Sequence, residues 1–208
     1  MNFRVIIFLI IMTTGISATF ADSPITSTQI YKSYLDCPMV VKAQETGVMN
    51  DTIAAFLLND TIDIGFKVAV VNALSWDKGK KNANLLIPYI LKKYGLSNGF
   101  DMNTLSGADI LCLGYLSIMD DYFNPDKAIS ILKVAREKNP LSYTFNIILA
   151  LAESQKAMDN DWCSVYKTCD EVRNNKSLRQ DMRQGAIDNI FQYIDLYKED
   201  CKTKQTDH

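Results

Sequence analysis

The most reactive side chains of this 208-residue sequence are five thiols: Cys37, Cys112, Cys163, Cys169 and Cys201. No two of them form the Cys-x-x-Cys pattern of zinc ribbons and thiol oxidoreductases. On one helix Cys163 and Cys169 would lie about 9 Å apart along the axis, too far for a disulfide. Because the number of cysteines is odd, at least one thiol stays free or pairs between chains. Cys201, just before a polar tail, is expected to form a bridge that holds the carboxyl-terminal helix, with its partner left open.

Histidine limits the catalytic chemistry open to this chain, because the sole histidine is the last residue, His208. A Ser-His-Asp or Cys-His site therefore lacks a base, and zinc sites built on several histidines are excluded. Asp120 and Asp121 are adjacent, and adjacent side chains on a helix diverge by about 100°. We read this pair as a solvated helix end. No phosphate-binding glycine pattern occurs, so we expect no catalytic residue, no metal and no cofactor, and hence a protein that is not an enzyme.

The first 21 residues have the layout of a secretory signal peptide. Arg4 precedes an apolar run over 5–12, and 13–21 is mostly small and weakly polar. This arrangement predicts cleavage after Ala21. The apolar run is too short to span a bilayer. The mature chain is therefore expected to be soluble and periplasmic or secreted, a setting that permits disulfides.

The charge pattern excludes two classes of partner. Lys and Arg number 22 and Asp and Glu 24, which gives a formal net charge of −2. The basic residues are scattered along the chain, so neither nucleic acid nor a membrane surface is an expected partner. We expect residues 22–201 to form a single domain and 202–208 to be a polar tail.

Residues 108–140 predict two antiparallel helices joined at Asn124-Pro125-Asp126. Gly114 lies in the middle of the first helix, where a second helix can approach closely. In the second helix Ala128, Leu132 and Ala135 share one face, and Pro140 ends it. These spacings resemble those of tetratricopeptide or Sel1-like helical repeats.

The same apolar spacing recurs on both sides of this pair. Residues 63–76 and 83–94 predict an earlier helical pair, in which Pro88 should cause a kink or a restart. A later pair is predicted at 142–158 and 161–172, offset by 34 residues, the tetratricopeptide period. Residues 177–201 predict one long closing helix with a single apolar face. The expected fold is therefore all-α: stacked helical hairpins in a short solenoid with a long carboxyl-terminal capping helix.

The resemblance to helical repeats implies a concave groove lined by the first helix of each pair. The residues placed there by this register are Asn72, Ser75, Trp76, Tyr115, Ile118 and Met119. The aromatic residues among them would equally suit ordinary core packing. The resemblance implies a non-catalytic protein-interaction module. One version is an inhibitor or immunity-type protein, by analogy with other small, exported, all-helical immunity proteins, and another is an envelope adaptor. The odd number of cysteines leaves a homodimer open.

An alternative function is binding of a small apolar ligand between helices. It is suggested by Met49, Met102, Met119 and ten tyrosines. A large apolar cavity would favour this alternative, and a grooved or flat apolar patch would favour protein binding.

Overall fold

The computed structural model of the chain describes residues 23–75, 79, 81–158 and 160–203. The expected signal peptide and its cleavage site lie outside these residues. Within them no strand occurs, so the prediction of an all-α fold is confirmed. The α-helices of the described part are α1 Pro38–Thr46, α2 Asp51–Leu57, α3 Ile64–Ala73, α4 Asn82–Tyr94, α5 Gly107–Asp120, α6 Asp126–Lys138, α7 Tyr143–Ala157, α8 Trp162–Asn174, α9 Gln184–Ile194 and α10 Asp200–Thr203. Short 3₁₀ turns cover Ile30–Tyr34, Met102–Thr104 and Asp195–Tyr197.

Local capping chemistry fixes several helix ends. Asn50 begins α2, since its side-chain oxygen accepts hydrogen bonds from the backbone N–H groups of Thr52 and Ile53, both at 3.1 Å. Pro38 occupies the first turn of α1, where a missing N–H costs nothing. Gly95 ends α4 in the left-handed conformation, with φ of 65°.

The α5–α6 hairpin forms where the sequence predicts it. The face of α6 made by Ala128, Leu132 and Ala135 is buried. Gly114 permits the close approach, because a Cβ built on it would lie 2.9 Å from Leu132 Cδ2. A larger residue at position 114 would require the Leu132 side chain to shift.

The helices predicted on either side are also present, as α3 and α4 before this hairpin and α7 and α8 after it. α7 packs against α8, but α3 and α4 do not form a packed pair, since each packs against α5 instead. The helix does not restart at Pro88, since α4 continues through this residue. Proline removes one backbone hydrogen bond, to the carbonyl of Asn84. The buried side chains of Leu86 and Ile90 hold the helix on both sides of the missing bond.

The prediction of one continuous helix over 177–201 is wrong. The helix α9 begins only at Gln184 and is followed by a 3₁₀ turn and by α10. The backbone before α9 bonds to a distant segment instead: Arg179 N–H donates to the carbonyl of Leu141 at 2.7 Å, and Arg179 accepts from Tyr143 N–H at 3.0 Å. A helix through 179 would have to break these bonds.

The start of α9 closes the fold by returning to the amino-terminal segment. The Arg183 guanidinium bonds to the Asp36 carboxylate at 2.5 Å and lies 4.6 Å from the ring centre of Tyr34. The Tyr34 hydroxyl accepts a hydrogen bond from Arg183 N–H at 2.9 Å. In an open solenoid each repeat contacts only its neighbours. The first and last described segments meet here, so the solenoid part of the fold prediction is not confirmed.

A disulfide between Cys163 and Cys201 joins α10 to α8, with the Cα atoms 4.6 Å apart. Cys201 thus holds the carboxyl-terminal helix, as its position in the sequence suggests. The remaining cysteines are free thiols: Cys37 is half-buried, and Cys112 and Cys169 are buried.

Candidate functional site

Four of the six predicted groove residues are buried: Asn72, Tyr115, Ile118 and Met119. Their placement on an open groove is therefore wrong. The 3₁₀ turn Ile30–Tyr34 and helix α1 both pack against α3, and α3 packs against α5. The amino-terminal segment thus covers the face that would line a groove in an uncovered array.

Asn72 and Tyr115 belong instead to a buried hydrogen-bond network. The side-chain amide of Asn72 donates to the Tyr115 hydroxyl at 2.9 Å and to the Thr28 carbonyl at 3.0 Å. Its oxygen accepts from the backbone N–H of Tyr31 at 3.0 Å. The network joins α3, α5 and the amino-terminal segment, which is a structural role.

The remaining two predicted groove residues follow the end of α3. Ser75 is exposed and adopts a positive φ of 60°, a backbone conformation that turns the chain away from the helix. Trp76 lies outside the described residues.

A surface pocket of about 560 Å³ lies between the start of α4, the end of α5 and the start of α6. We call it the α4–α5–α6 pocket. It is lined by Gly79, Lys81, Ala83, Asn84, Ser117, Asp120, Asp121, Tyr122, Phe123, Asn124, Lys127 and Ala128. Its volume lies in the range of ordinary ligand sites, about 300–1,000 Å³.

Two consecutive aromatic residues form part of this pocket. Tyr122 is buried, and its ring centre lies 4.2 Å from that of Phe123. Phe123 is 73% exposed, more than any other large apolar side chain in the described part of the chain. The Tyr122 ring is thus buried in the core, and it packs against the Phe123 ring, which is presented to solvent.

Both carboxylates of the pocket are engaged within the chain. Asp120 accepts hydrogen bonds from the backbone N–H groups of Asn82 at 3.0 Å and Ala83 at 2.8 Å. It thereby caps α4 from another helix, and its interpretation as a merely solvated helix end is wrong. Asp121 accepts from the side-chain amide of Asn124 at 3.0 and 3.2 Å.

Two lysines stand at the mouth of the pocket. Lys81 and Lys127 are exposed, and neither forms an ion pair with another described residue. Asp126, next to Lys127 in the chain, is paired with Lys156 at 2.5 Å. The pocket therefore combines aromatic and small apolar surface with two lysines and two carboxylates.

A second depression, of about 650 Å³, lies where the amino-terminal segment meets the start of α9. Its polar groups already serve the fold. Arg183 is bonded to Asp36 and to the Ser33 carbonyl, and Asp181 accepts from Thr144 N–H at 2.8 Å. This depression is a structural junction, and the α4–α5–α6 pocket is the better candidate site.

The described residues hold no group of three or more His, Cys, Asp or Glu side chains that could bind a metal ion. Burial raises the pKa of both the Cys112 and the Cys169 thiols to about 12. A thiol with so high a pKa is protonated at neutral pH and is a poor nucleophile. The methionines considered for an apolar ligand site pack in or against the core, Met49 and Met119 within it and Met102 at its edge.

Comparison with models of known families, with curated proteins and with solved structures finds no match to this chain. Membership in the helical-repeat family therefore stays a prediction. None of the helices in the part that the structure describes is long and apolar enough to cross a membrane.

Sequence reasoning missed Phe123, the most exposed large apolar side chain in the described part of the chain. The available signal was the pair Tyr122-Phe123 directly before a turn rich in Asn, Pro and Asp. Aromatic residues at such a turn lie at the surface, where loops carry binding residues.

Proposed function

We propose that this chain is an exported, non-catalytic protein-binding module that contacts its partner through the α4–α5–α6 pocket. The observation that best supports this proposal is the exposure of Phe123. This large aromatic side chain is 73% exposed, and the pocket that it lines also contains Ala83, Tyr122 and Ala128. Aromatic residues in such positions dominate the binding energy of protein interfaces.

Export is supported by two independent features. The amino-terminal sequence has the layout of a signal peptide. The disulfide between Cys163 and Cys201 suits an oxidising compartment, since disulfides are rare in the cytosol. We place the mature protein in the periplasm or outside the cell.

Within this class we favour an inhibitor or immunity-type protein, or an envelope adaptor. Both act by occupying a surface of another protein, and neither needs catalytic groups of its own. The buried thiols and the engaged carboxylates of the pocket support a role without catalysis.

The test is affinity purification of the tagged mature chain from its own host, followed by mass spectrometry. Phe123→Ser is compared with Leu196→Ser, which changes another highly exposed apolar residue, one that does not line this pocket. We expect a stoichiometric protein partner that the parent chain and Leu196→Ser retain and Phe123→Ser loses.

The identity of the bound material decides between the functions. An enzyme partner would point to inhibition, and a structural envelope protein would point to an adaptor. A small apolar molecule bound in place of a protein would overturn the proposal, as would a protein partner held equally well by Phe123→Ser.

A further inference from the structure

We infer that the α4–α5–α6 pocket is self-complementary, so that two copies of this chain associate through it and each inserts Phe123 into the pocket of the other. The inference goes beyond the proposed function, because it concerns the free chain and requires no foreign protein. In such a dimer the binding surface of the free chain is covered, and a foreign partner has to displace the second copy.

The pocket carries charges of both signs. Asp120 accepts hydrogen bonds from backbone N–H groups, and Asp121 accepts from the side-chain amide of Asn124. Because these donors are neutral, both carboxylates keep their negative charge. Lys81 and Lys127 supply positive charge in the same lining. A purely acidic or purely basic partner would therefore meet like charges, which are unfavourable at an interface. A second copy of this chain presents both signs.

The same patch holds a protruding side chain and a recess. Phe123 is 73% exposed, and its ring packs against that of Tyr122 with the ring centres 4.2 Å apart. Beside it, Ala83 and Ala128 line the pocket with small side chains between the start of α4 and the start of α6. An aromatic ring of a second copy fits such a recess, where it contacts methyl groups and the rings of the pocket wall.

A two-fold axis relates the two copies in the proposed dimer. In such an interface the same patch occurs on both sides, so a contact from residue i to residue j is matched by one from j to i. Phe123 of each copy lies in the recess of the other, and Lys127 of each copy lies opposite Asp121 of the other. All three side chains are exposed in the single chain, so a second copy can reach them.

The walls of the pocket are held in place before association. The carboxylate of Asp120 bonds to the first two residues of α4, which fixes the start of α4 against the end of α5. The Leu132 side chain packs against Gly114 and fixes α6 against α5. A preformed surface loses little conformational entropy on binding. The patch is small, however, because stable interfaces use roughly 20–30 residues a side. We therefore expect a weak dimer that a tighter-binding partner displaces.

Sedimentation velocity of the mature chain between about 5 and about 500 μM measures this self-association. Every sample carries Cys37→Ser, because a half-buried free thiol could crosslink two chains. The parent chain in this background is compared with Phe123→Ser and with the matched control Leu196→Ser, which changes an exposed apolar residue outside the pocket. Two charge variants, Lys127→Glu and Asp121→Lys, are measured separately and as an equimolar mixture.

We expect the parent chain and Leu196→Ser to dimerise as the concentration rises, and Phe123→Ser to stay monomeric. Lys127→Glu and Asp121→Lys should each raise the dissociation constant about tenfold or more, because each places like charges opposite one another across the two-fold axis. Their mixture should form a heterodimer with a dissociation constant within about threefold of that of the parent dimer, since the exchanged charges again pair.

Three results would overturn the inference: a parent chain that stays monomeric at the highest concentration, a dimer that Phe123→Ser retains, and a mixture of the charge variants that associates no more tightly than either variant alone. Each of them leaves the proposed function standing, because the pocket then stays open to a foreign protein. The proposed function fails separately, when a partner from the host is held equally well by Phe123→Ser.

Discussion

The carboxylate of Asp120, the last residue of α5, caps the start of α4 at Asn82. Its Oδ1 accepts from Asn82 N–H at 3.0 Å, and its Oδ2 accepts from Ala83 N–H at 2.8 Å. The first N–H groups of a helix have no partner inside the helix. A negative charge here also interacts favourably with the helix dipole. One side chain thus joins two consecutive helices and forms a wall of the α4–α5–α6 pocket.

Replacing Asp120 with Ala should lower the free energy of unfolding by about 1–2 kcal/mol, the usual cost of losing a helix cap. The variant leaves two N–H groups at the start of α4 without their partner. Urea denaturation followed by circular dichroism measures the change. Asp121→Ala is the matched control and should cost less than about 0.5 kcal/mol, because Asp121 is exposed. Equal losses in the two variants would contradict the capping role.

The positions of the helices, and the α5–α6 and α7–α8 hairpins, were predictable because their signals are local. Ala128, Leu132 and Ala135 recur at helical spacing on one face of α6. Gly114 marks the point where α5 approaches this face closely. Such patterns act over a few residues and depend little on the rest of the chain. They gave the positions of α3 to α8 to within a few residues.

The burial of the predicted groove residues was not predictable in the same way, because it depends on contacts between distant segments. The ion pair of Asp36 with Arg183 joins residues 147 positions apart. Contacts of this kind bring the amino-terminal segment over α3 and bury Asn72 and Tyr115. Periodicity identifies the buried or exposed faces of a helix, but it does not identify what covers them.

Replacing Tyr115 with Phe should lower the free energy of unfolding by about 1–3 kcal/mol. The change leaves one N–H of the buried Asn72 amide without an acceptor, and an unsatisfied buried donor carries its full desolvation cost. Urea denaturation of Tyr115→Phe, Asn72→Ala and the double variant forms a thermodynamic cycle. The two losses should not add, since both changes break the same bond.

The control for this cycle is Tyr31→Phe, which removes a hydroxyl from a partly buried tyrosine packed at the edge of the core. It should change the free energy of unfolding by less than about 0.5 kcal/mol. Strictly additive losses in the cycle would show that the hydrogen bond between Asn72 and Tyr115 contributes nothing.

The buried Cys112 thiol should make the protein less stable at alkaline pH. Burial raises its pKa from 9.0 to about 12 in the folded chain. The unfolded chain therefore releases this proton first, and the free energy of unfolding falls as the pH rises from about 9 towards 12. One thiol contributes a slope approaching about 1.4 kcal/mol per pH unit. The stabilisation is fully present below pH 9.

The measurement compares urea denaturation at several pH values between about 8.5 and 10.5 for the parent chain and Cys112→Ala. The variant should show a shallower fall with pH. Val70→Ala is the control, because it truncates a side chain that is also fully buried but does not titrate. A slope that is equally steep in Cys112→Ala and Val70→Ala would contradict the assignment.

Breaking the disulfide between Cys163 and Cys201 should destabilise the carboxyl-terminal end of the fold. The bridge closes a loop with a sequence separation of 38. A constraint of that length is worth about 4 kcal/mol at most in the chain-entropy model, and we expect a loss of about 2–4 kcal/mol in Cys201→Ser. Cys37→Ser, which removes a half-buried free thiol, should cost less than about 1 kcal/mol.

Urea denaturation with and without reductant checks the prediction: reductant should lower the midpoint of the parent chain to that of Cys201→Ser and leave the variant unchanged. A parent midpoint that does not respond to reductant would show that the bridge does not stabilise the fold.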